Sequence, residues 1–140
     1  MTKVPLKFRA PTVSDKSFIF NSWLKSFRHS PLAKPLCNEV YFKNHKVIVE
    51  NILKRSRVLI ACNPEDEDQI YGYIVYEPII DDITVLHYVY VKFTYRKLGI
   101  ARTIVEGSID IKNPILYTHH TETVKRIKDK LDLIYDPYRL

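Results

Sequence analysis

The feature that most constrains this chain is the passage from strand to helix over Leu86–Val105, LHYVYVKFTYRKLGIARTIV. Residues Ile83 to Val91 alternate in a run rich in valine and tyrosine, which predicts a strand. A short basic loop, Lys92–Leu98, leads into a helical pattern with Ile100, Ala101, Ile104, Val105 and Ser108 on one face. Between them stands Arg96-Lys97-Leu98-Gly99-Ile100-Ala101. The whole chain has only three glycines. One kept at a strand-to-helix turn points to a positive φ or to close backbone approach by another group. The first amides of a helix lack internal partners, and its dipole favours negative charge there. With Arg96, Lys97 and Arg102 around it, the junction reads as an anion cradle suited to a phosphate or pyrophosphate. It lacks both the Gly-Lys-Ser/Thr ending of a nucleotide P-loop and the three-glycine dinucleotide fingerprint.

The rest of the chain sets the frame for that junction. Its 140 residues predict one domain, 1–140, long enough to bury a core without staples. No apolar run approaches the length of a membrane span, and MTKVPLKFRA has no signal-peptide core, so a cytoplasmic protein is expected. Cys37 and Cys62 stand in unrelated contexts with no metal-like spacing, which suits a reducing compartment. The net charge of +6 could assist binding to an anionic cofactor or to nucleic acid. The basic residues are nevertheless spread from Lys3 to Arg139, as on a solvated surface.

Lys3–Ala10 alternates like an edge strand, and Ser14 or Asp15 can cap a helix running to about Phe27, with Trp23 in the core. Ser26–Asn38 holds two prolines and reads as an irregular, functional connection. A second helix is predicted over roughly Glu39 to Arg55, followed by strands Arg57–Cys62 and Gln69–Glu77 around an acidic tip. Asp81-Asp82 marks a turn before the central strand. After the central helix, Pro114–Thr118 reads as a buried parallel strand, Thr121 caps a last helix, and Leu133–Leu140 supplies one more strand. The predicted class is α/β with a mixed sheet, in the order β-α-α-β-β-β-α-β-α and a tail strand.

Arg96-x-x-Gly99-x-Ala101 after a strand resembles the acetyl-CoA signature of the GNAT family of N-acetyltransferases, and the order of elements resembles that family over nearly the whole chain. The texture of NSWLKSFRHSPLAKP is similar to small bacteriophage-encoded members. Gly72 stands where such proteins often carry glycine. The chain departs from the family in having Phe93 where proline is common, and in its short C-terminal end, which leaves a homodimer as one way to complete that edge.

The resemblance implies direct transfer of an acetyl group from acetyl-CoA to an amine, small-molecule or protein, on a splayed sheet. Arg96, Lys97, Leu98, Gly99, Ile100, Ala101 and Arg102 would hold the pyrophosphate. Val89, Tyr90 and Val91 would line the pantetheine, and a backbone amide there would meet the oxyanion. The splay would separate Tyr90–Val91 from Leu116–Thr118. His87 stands at the offset of a histidine in the arylalkylamine branch and is the candidate base, beside the plainer reading of a histidine bonded within its strand. His29 and His119 are placed on the substrate side. The family's tyrosine acid falls on Lys128, which leaves Tyr117 as candidate acid. Other readings remain: a catalytically inactive binding or structural protein of this fold, and a basic nucleic-acid-binding domain, to which the tyrosine-rich strands lend little because alternating tyrosines suit cross-strand packing with wet hydroxyls.

Overall fold

The structure, a computed structural model, describes residues 4–79 and 83–140. The expected turn at Asp81-Asp82 and the first residue of the Lys3–Ala10 strand lie outside the described residues. The elements follow as β1 (Lys7–Arg9), α1 (Val13–Phe27), α2 (Asn38–Arg55), β2 (Arg57–Asn63), β3 (Asp66–Pro78), β4 (Thr84–Val91), α3 (Ile100–Ser108), β5 (Ile115–Tyr117), α4 (Glu122–Lys128) and β6 (Leu133–Tyr135). Short 3₁₀ turns cover Phe93–Tyr95 and Pro137–Arg139. No helix among the described residues is long and apolar enough to cross a membrane.

The strands form one six-stranded mixed sheet in sequence order. β1 to β4 are antiparallel neighbours, whereas β4, β5 and β6 run parallel. Antiparallel strands need only tight turns, but each parallel step needs a crossover. α3 and α4 supply the two crossovers. The acidic tip is tighter than its charge run suggests: Asn63 already pairs with Asp66, and the Asn63 Oδ1 accepts from the Glu65 amide at 2.9 Å.

Helices cover both faces of the sheet. Trp23, Phe27, Tyr41 and Val49 of α1 and α2 pack on Ile60, Tyr73, Val75 and Tyr88. Ile104, Val105, Val124 and Ile127 of α3 and α4 pack on Ile74, Leu86, Val89 and Val91. The central strands are therefore apolar on both sides, which is why β3 and β4 read as near-continuous runs of Tyr, Val and Ile. On the α1 side the hydroxyls of Tyr73 and Tyr88 are bonded within the protein. Tyr73 bonds to Ser22 Oγ at 2.8 Å and donates to the Ile19 carbonyl, and Tyr88 bonds to Ser26 Oγ at 2.5 Å.

The cap of α1 is Thr12 rather than Ser14 or Asp15. Asp15 instead accepts from the Thr12 amide at 2.8 Å and from its hydroxyl at 3.0 Å, the reciprocal half of a capping box. Arg9 on β1 donates to the same carboxylate at 2.6 Å, tying the edge strand to the helix. That hydrogen bond, with the Thr12 donors, holds the Asp15 carboxyl down at about 2 against the cost of burial. Cys37 and Cys62 are free thiols.

Candidate functional site

The site begins with an irregularity in β4. Tyr88 pairs with Val75 and Leu86 with Tyr76, so His87 is left unopposed as a bulge. The extra residue breaks the alternation, and Leu86 and Val89 both reach the α3 side. On its other edge β4 pairs with β5 only from Thr84 to Leu86, and the Thr118 amide donates the last rung, to the Leu86 carbonyl at 3.2 Å. β4 then runs on alone to Val91. The sheet is splayed, but the opening starts beyond Thr118; Leu116 and Tyr117, expected on its far wall, are still paired.

The Lys92 amide donates to Tyr71 of β3, and the Tyr90 carbonyl lies against Gly72 of β3. By alternation the polar groups of Val89 and Val91 turn to the open edge. There the Arg96 Nε donates to the Val91 carbonyl at 2.8 Å, and its guanidinium lies over the rings of Tyr90 and Phe93.

After the 3₁₀ turn, Lys97 and Gly99 both take positive φ, 66° and 76°, and Gly99 caps α3. The first helical bond runs from the Thr103 amide to the Gly99 carbonyl at 3.2 Å, so the Ile100, Ala101 and Arg102 amides open the helix without an intrahelical acceptor. These three residues line a cavity of about 210 Å³, together with Val91, Tyr95, Arg96, Lys97 and Gly99, and with Thr123, Arg126, Ile127 and Lys130. Five cationic side chains thus surround one helix N-terminus. Arg102 also pairs with Glu106 at 3.0 Å.

A second cavity, about 730 Å³, opens on the α1 side of the same strand edge. Its walls are Phe18, Ser22, Lys25 and Ser26 of α1, His29 to Pro31, Tyr88 to Tyr90, and Thr121 to Thr123. Arg96 and Thr123 line both cavities, which therefore adjoin at these two side chains beside the unpaired end of β4. Arg28 shapes the irregular wall: its guanidinium donates to Asn38 Oδ1, to Ala33 O and to Leu36 O at 2.8, 2.7 and 2.6 Å, over the Tyr41 ring.

Solved structures share this fold. A candidate acetyl transferase from Pyrococcus furiosus is 16% identical, with 90% of this chain matched to 91% of that one at a TM-score of 0.65. The PaiA N-acetyltransferase of Thermoplasma acidophilum, solved in complex with coenzyme A, is 17% identical, matching 75% of this chain and 70% of that one at a TM-score of 0.53. This chain has the GNAT fold. A GNAT acetyltransferase from Staphylococcus aureus Mu50 is 16% identical over 74% of this chain at a TM-score of 0.48, and the chain spans 62% of that protein's length. No protein-family model and no curated protein matches the sequence.

Within the GNAT frame, the residues expected to hold the cofactor divide between the cavities. Val91, Arg96, Lys97, Gly99, Ile100, Ala101 and Arg102 line the smaller one; Val89, Tyr90 and Arg96 line the larger; Leu98 is exposed and lines neither. Arg126 and Lys130 escaped the sequence reading because only the fold brings the end of α4 and the turn that follows it to the cradle. Lys128, the position where the resemblance implies a tyrosine, is exposed and absent from both walls.

The catalytic candidates are placed differently. His29 is exposed on the wall of the larger cavity. Tyr117 is not on either wall: its ring is fully buried against Tyr135, and its hydroxyl bonds to His120 at 3.1 Å. His87 is 1% exposed, with Nε2 3.0 Å from Glu77 Oε1 and Nδ1 3.0 Å from Thr118 Oγ1. His119, expected on the substrate side, is also 1% exposed, between Trp23, Phe27 and Tyr88. Its Nδ1 bonds to Thr118 Oγ1 at 2.8 Å and its Nε2 to His45 Nε2 at 2.9 Å.

With Glu77, which is half-buried, the buried His87, Thr118, His119 and His45 form one file. The Glu77 carboxyl is held below its ordinary value, since hydrogen bonds from His87 and Arg55 outweigh burial. An ionised carboxylate only accepts, so His87 carries its proton on Nε2 and accepts on Nδ1 from the Thr118 hydroxyl. Thr118 then accepts from His119 Nδ1, and His119 Nε2 accepts from His45. Burial lowers the pKa of all three histidines, that of His45 to about 4. A group with both ring nitrogens engaged inside the core does not take a proton directly from a molecule in the cavity.

Proposed function

We propose that this protein is an N-acetyltransferase that uses acetyl-CoA as co-substrate and acetylates an amine. The single observation that carries this reading is the cationic cradle at the start of α3, adjoined at Arg96 and Thr123 by a second cavity of about 730 Å³ that offers room for an acceptor. A pyrophosphate fits the cradle's chemistry: free helix amides, two left-handed residues that turn the backbone around the anion, and side chains of Lys97, Arg102, Arg126 and Lys130. The coenzyme A complex of the PaiA neighbour supports the same assignment.

Acetyl-CoA supplies the acyl group as a thioester. This chain's part is to hold it along the open edge of β4, where the Val89 amide is the donor available to a carbonyl oxygen. The amine nitrogen bonds to the acyl carbon as the carbon–sulfur bond breaks; the amine's proton goes to His29 or to water, and water protonates the departing thiolate. His29 is the imidazole on the cavity wall and takes the role that the buried His87 does not reach.

Calorimetric titration with acetyl-CoA and CoA tests the reading. We expect micromolar binding, about −8 kcal/mol, in the wild type. Gly99→Glu puts a negative side chain at φ 76° into the cradle and should abolish binding, while thermal unfolding remains cooperative. Wild-type protein that ignores millimolar CoA, or a Gly99→Glu variant that binds normally, refutes the assignment.

A further inference from the structure

We propose that the acceptor amine carries its own negative group, a carboxylate or a phosphate, and that Lys25 on α1 receives it; this rests on the acetyltransferase reading above. The larger cavity is where the acceptor enters, and its charged walls are unbalanced. Lys25, Arg96 and Glu122 are its side chains of fixed charge, with His29 beside them. The Glu122 carboxylate already pairs with Lys125 at 3.3 Å. Among the described residues neither Lys25 nor Arg96 has a carboxylate within ion-pair distance, whereas Arg9, Arg55, Arg102 and Arg139 each do. A further cation sits just behind the wall, the Lys92 ammonium 5.2 Å from the centre of the Phe18 ring.

The cofactor's phosphates do not account for this charge. The cradle that suits them lies on the α3 side of the sheet with its own Lys97, Arg126 and Lys130, while Lys25 stands on the α1 side. A polyamine or a lysine-rich peptide would enter this cavity against like charge. An anionic amine enters with it compensated, and the surrounding cations also disfavour the ammonium form, which is the form that cannot attack. Phe18 and Tyr90 offer flat apolar surface for the rest of such a molecule, and the Tyr88 hydroxyl, tied to Ser26, makes no demand on it.

The test runs in two steps, so that the two readings fail separately. Calorimetry with CoA comes first, on wild type and Lys25→Glu, with equal affinities expected. Release of CoA thiol is then followed with saturating acetyl-CoA and, as acceptors, glutamate, aspartate and phosphoethanolamine against spermidine and lysine amide. We expect an anionic amine to exceed every polycation at least tenfold in kcat/KM. Lys25→Glu should lose at least tenfold of that through KM, with kcat within twofold, and Lys25→Arg should retain most of it. The carboxylate and phosphate acceptors separate the two sources of charge. Preference for spermidine, turnover of no anionic amine by protein that binds CoA, or an unchanged Lys25→Glu overturns the proposal. Absence of CoA binding in the wild type overturns the acetyltransferase reading itself.

Discussion

A side chain at position 72 would place its Cβ 2.0 Å from the Tyr90 carbonyl oxygen, 3.0 Å from its carbon and 3.1 Å from Val91 Cα. All three are backbone atoms of the strand that borders both cavities, so nothing flexible can move aside. Gly72→Ala should therefore cost at least about 3 kcal/mol, the upper end of overpacking penalties, measured by chemical denaturation. A loss under about 1 kcal/mol would mean that β3 and β4 can separate there. Gly99 is needed for another reason, its left-handed φ, and Lys97 adopts nearly the same φ without the excuse of a missing side chain. A lysine in that conformation costs of order 1 kcal/mol, a strain stored beside the cradle. Gly99 was legible as a turn residue because glycine is scarce in this chain. Lys97 was legible only as a charge, because nothing in a residue's identity announces a positive φ that its neighbours impose.

Among the elements, the file Glu77–His87–Thr118–His119–His45 joins β3, β4, the end of β5 and α2 through the middle of the molecule. Its histidines are neutral when folded, and their pKa values lie below the ordinary one because burial penalises the imidazolium. The unfolded chain binds protons near pH 6.5, before the folded one does, so stability falls as pH drops below that value. For His45 the decline continues to about 4. Between pH 6.5 and 5 His45 alone contributes about 2 kcal/mol of loss. Asp15 adds its own loss only lower, as pH falls through the ordinary carboxylate value towards about 2. Urea midpoints measured at intervals from pH 7.5 to 4.5 should show this decline, and His45→Phe should make it shallower whatever its effect on stability at pH 7.5. A flat profile would show that the file admits protons freely. The strand pattern singled out His87, whereas His45 was not singled out in the sequence, and that they share one chain through Thr118 depends on where β5 ends.

For the molecule as a whole, the cradle draws on α3 and on the end of α4, two crossovers that the sheet brings together. A ligand bridging them stabilises the folded state alone. CoA at a hundred times its Kd should add about 2.7 kcal/mol, read as a rise in Tm, and Arg126→Glu should reduce that rise; no shift at saturating CoA would separate the cradle from binding. Local pattern carried the order of elements, the helices to within a residue or two, the glycine turn and the basic loop, since these follow from hydrophobic period, caps and breakers acting within a few residues. Thr12 lost its place as cap to Ser14 and Asp15 in the sequence reading because a capping box is seen only once Asp15 is known to be its third helical residue. The candidate site was only half present in the sequence. The length of the β4–β5 pairing, the bulge that turns His87 into the core, the burial of Tyr117 and His119, and the arrival of Arg126 and Lys130 opposite Gly99 are all long-range facts. They are set by which strand ends first and which helix face packs inward. The sequence by itself determined that a basic strand-to-helix turn stands at the centre of a mixed sheet; the tertiary structure alone decided which side chains face it, because only packing settles what is buried in the core and what lines a wall.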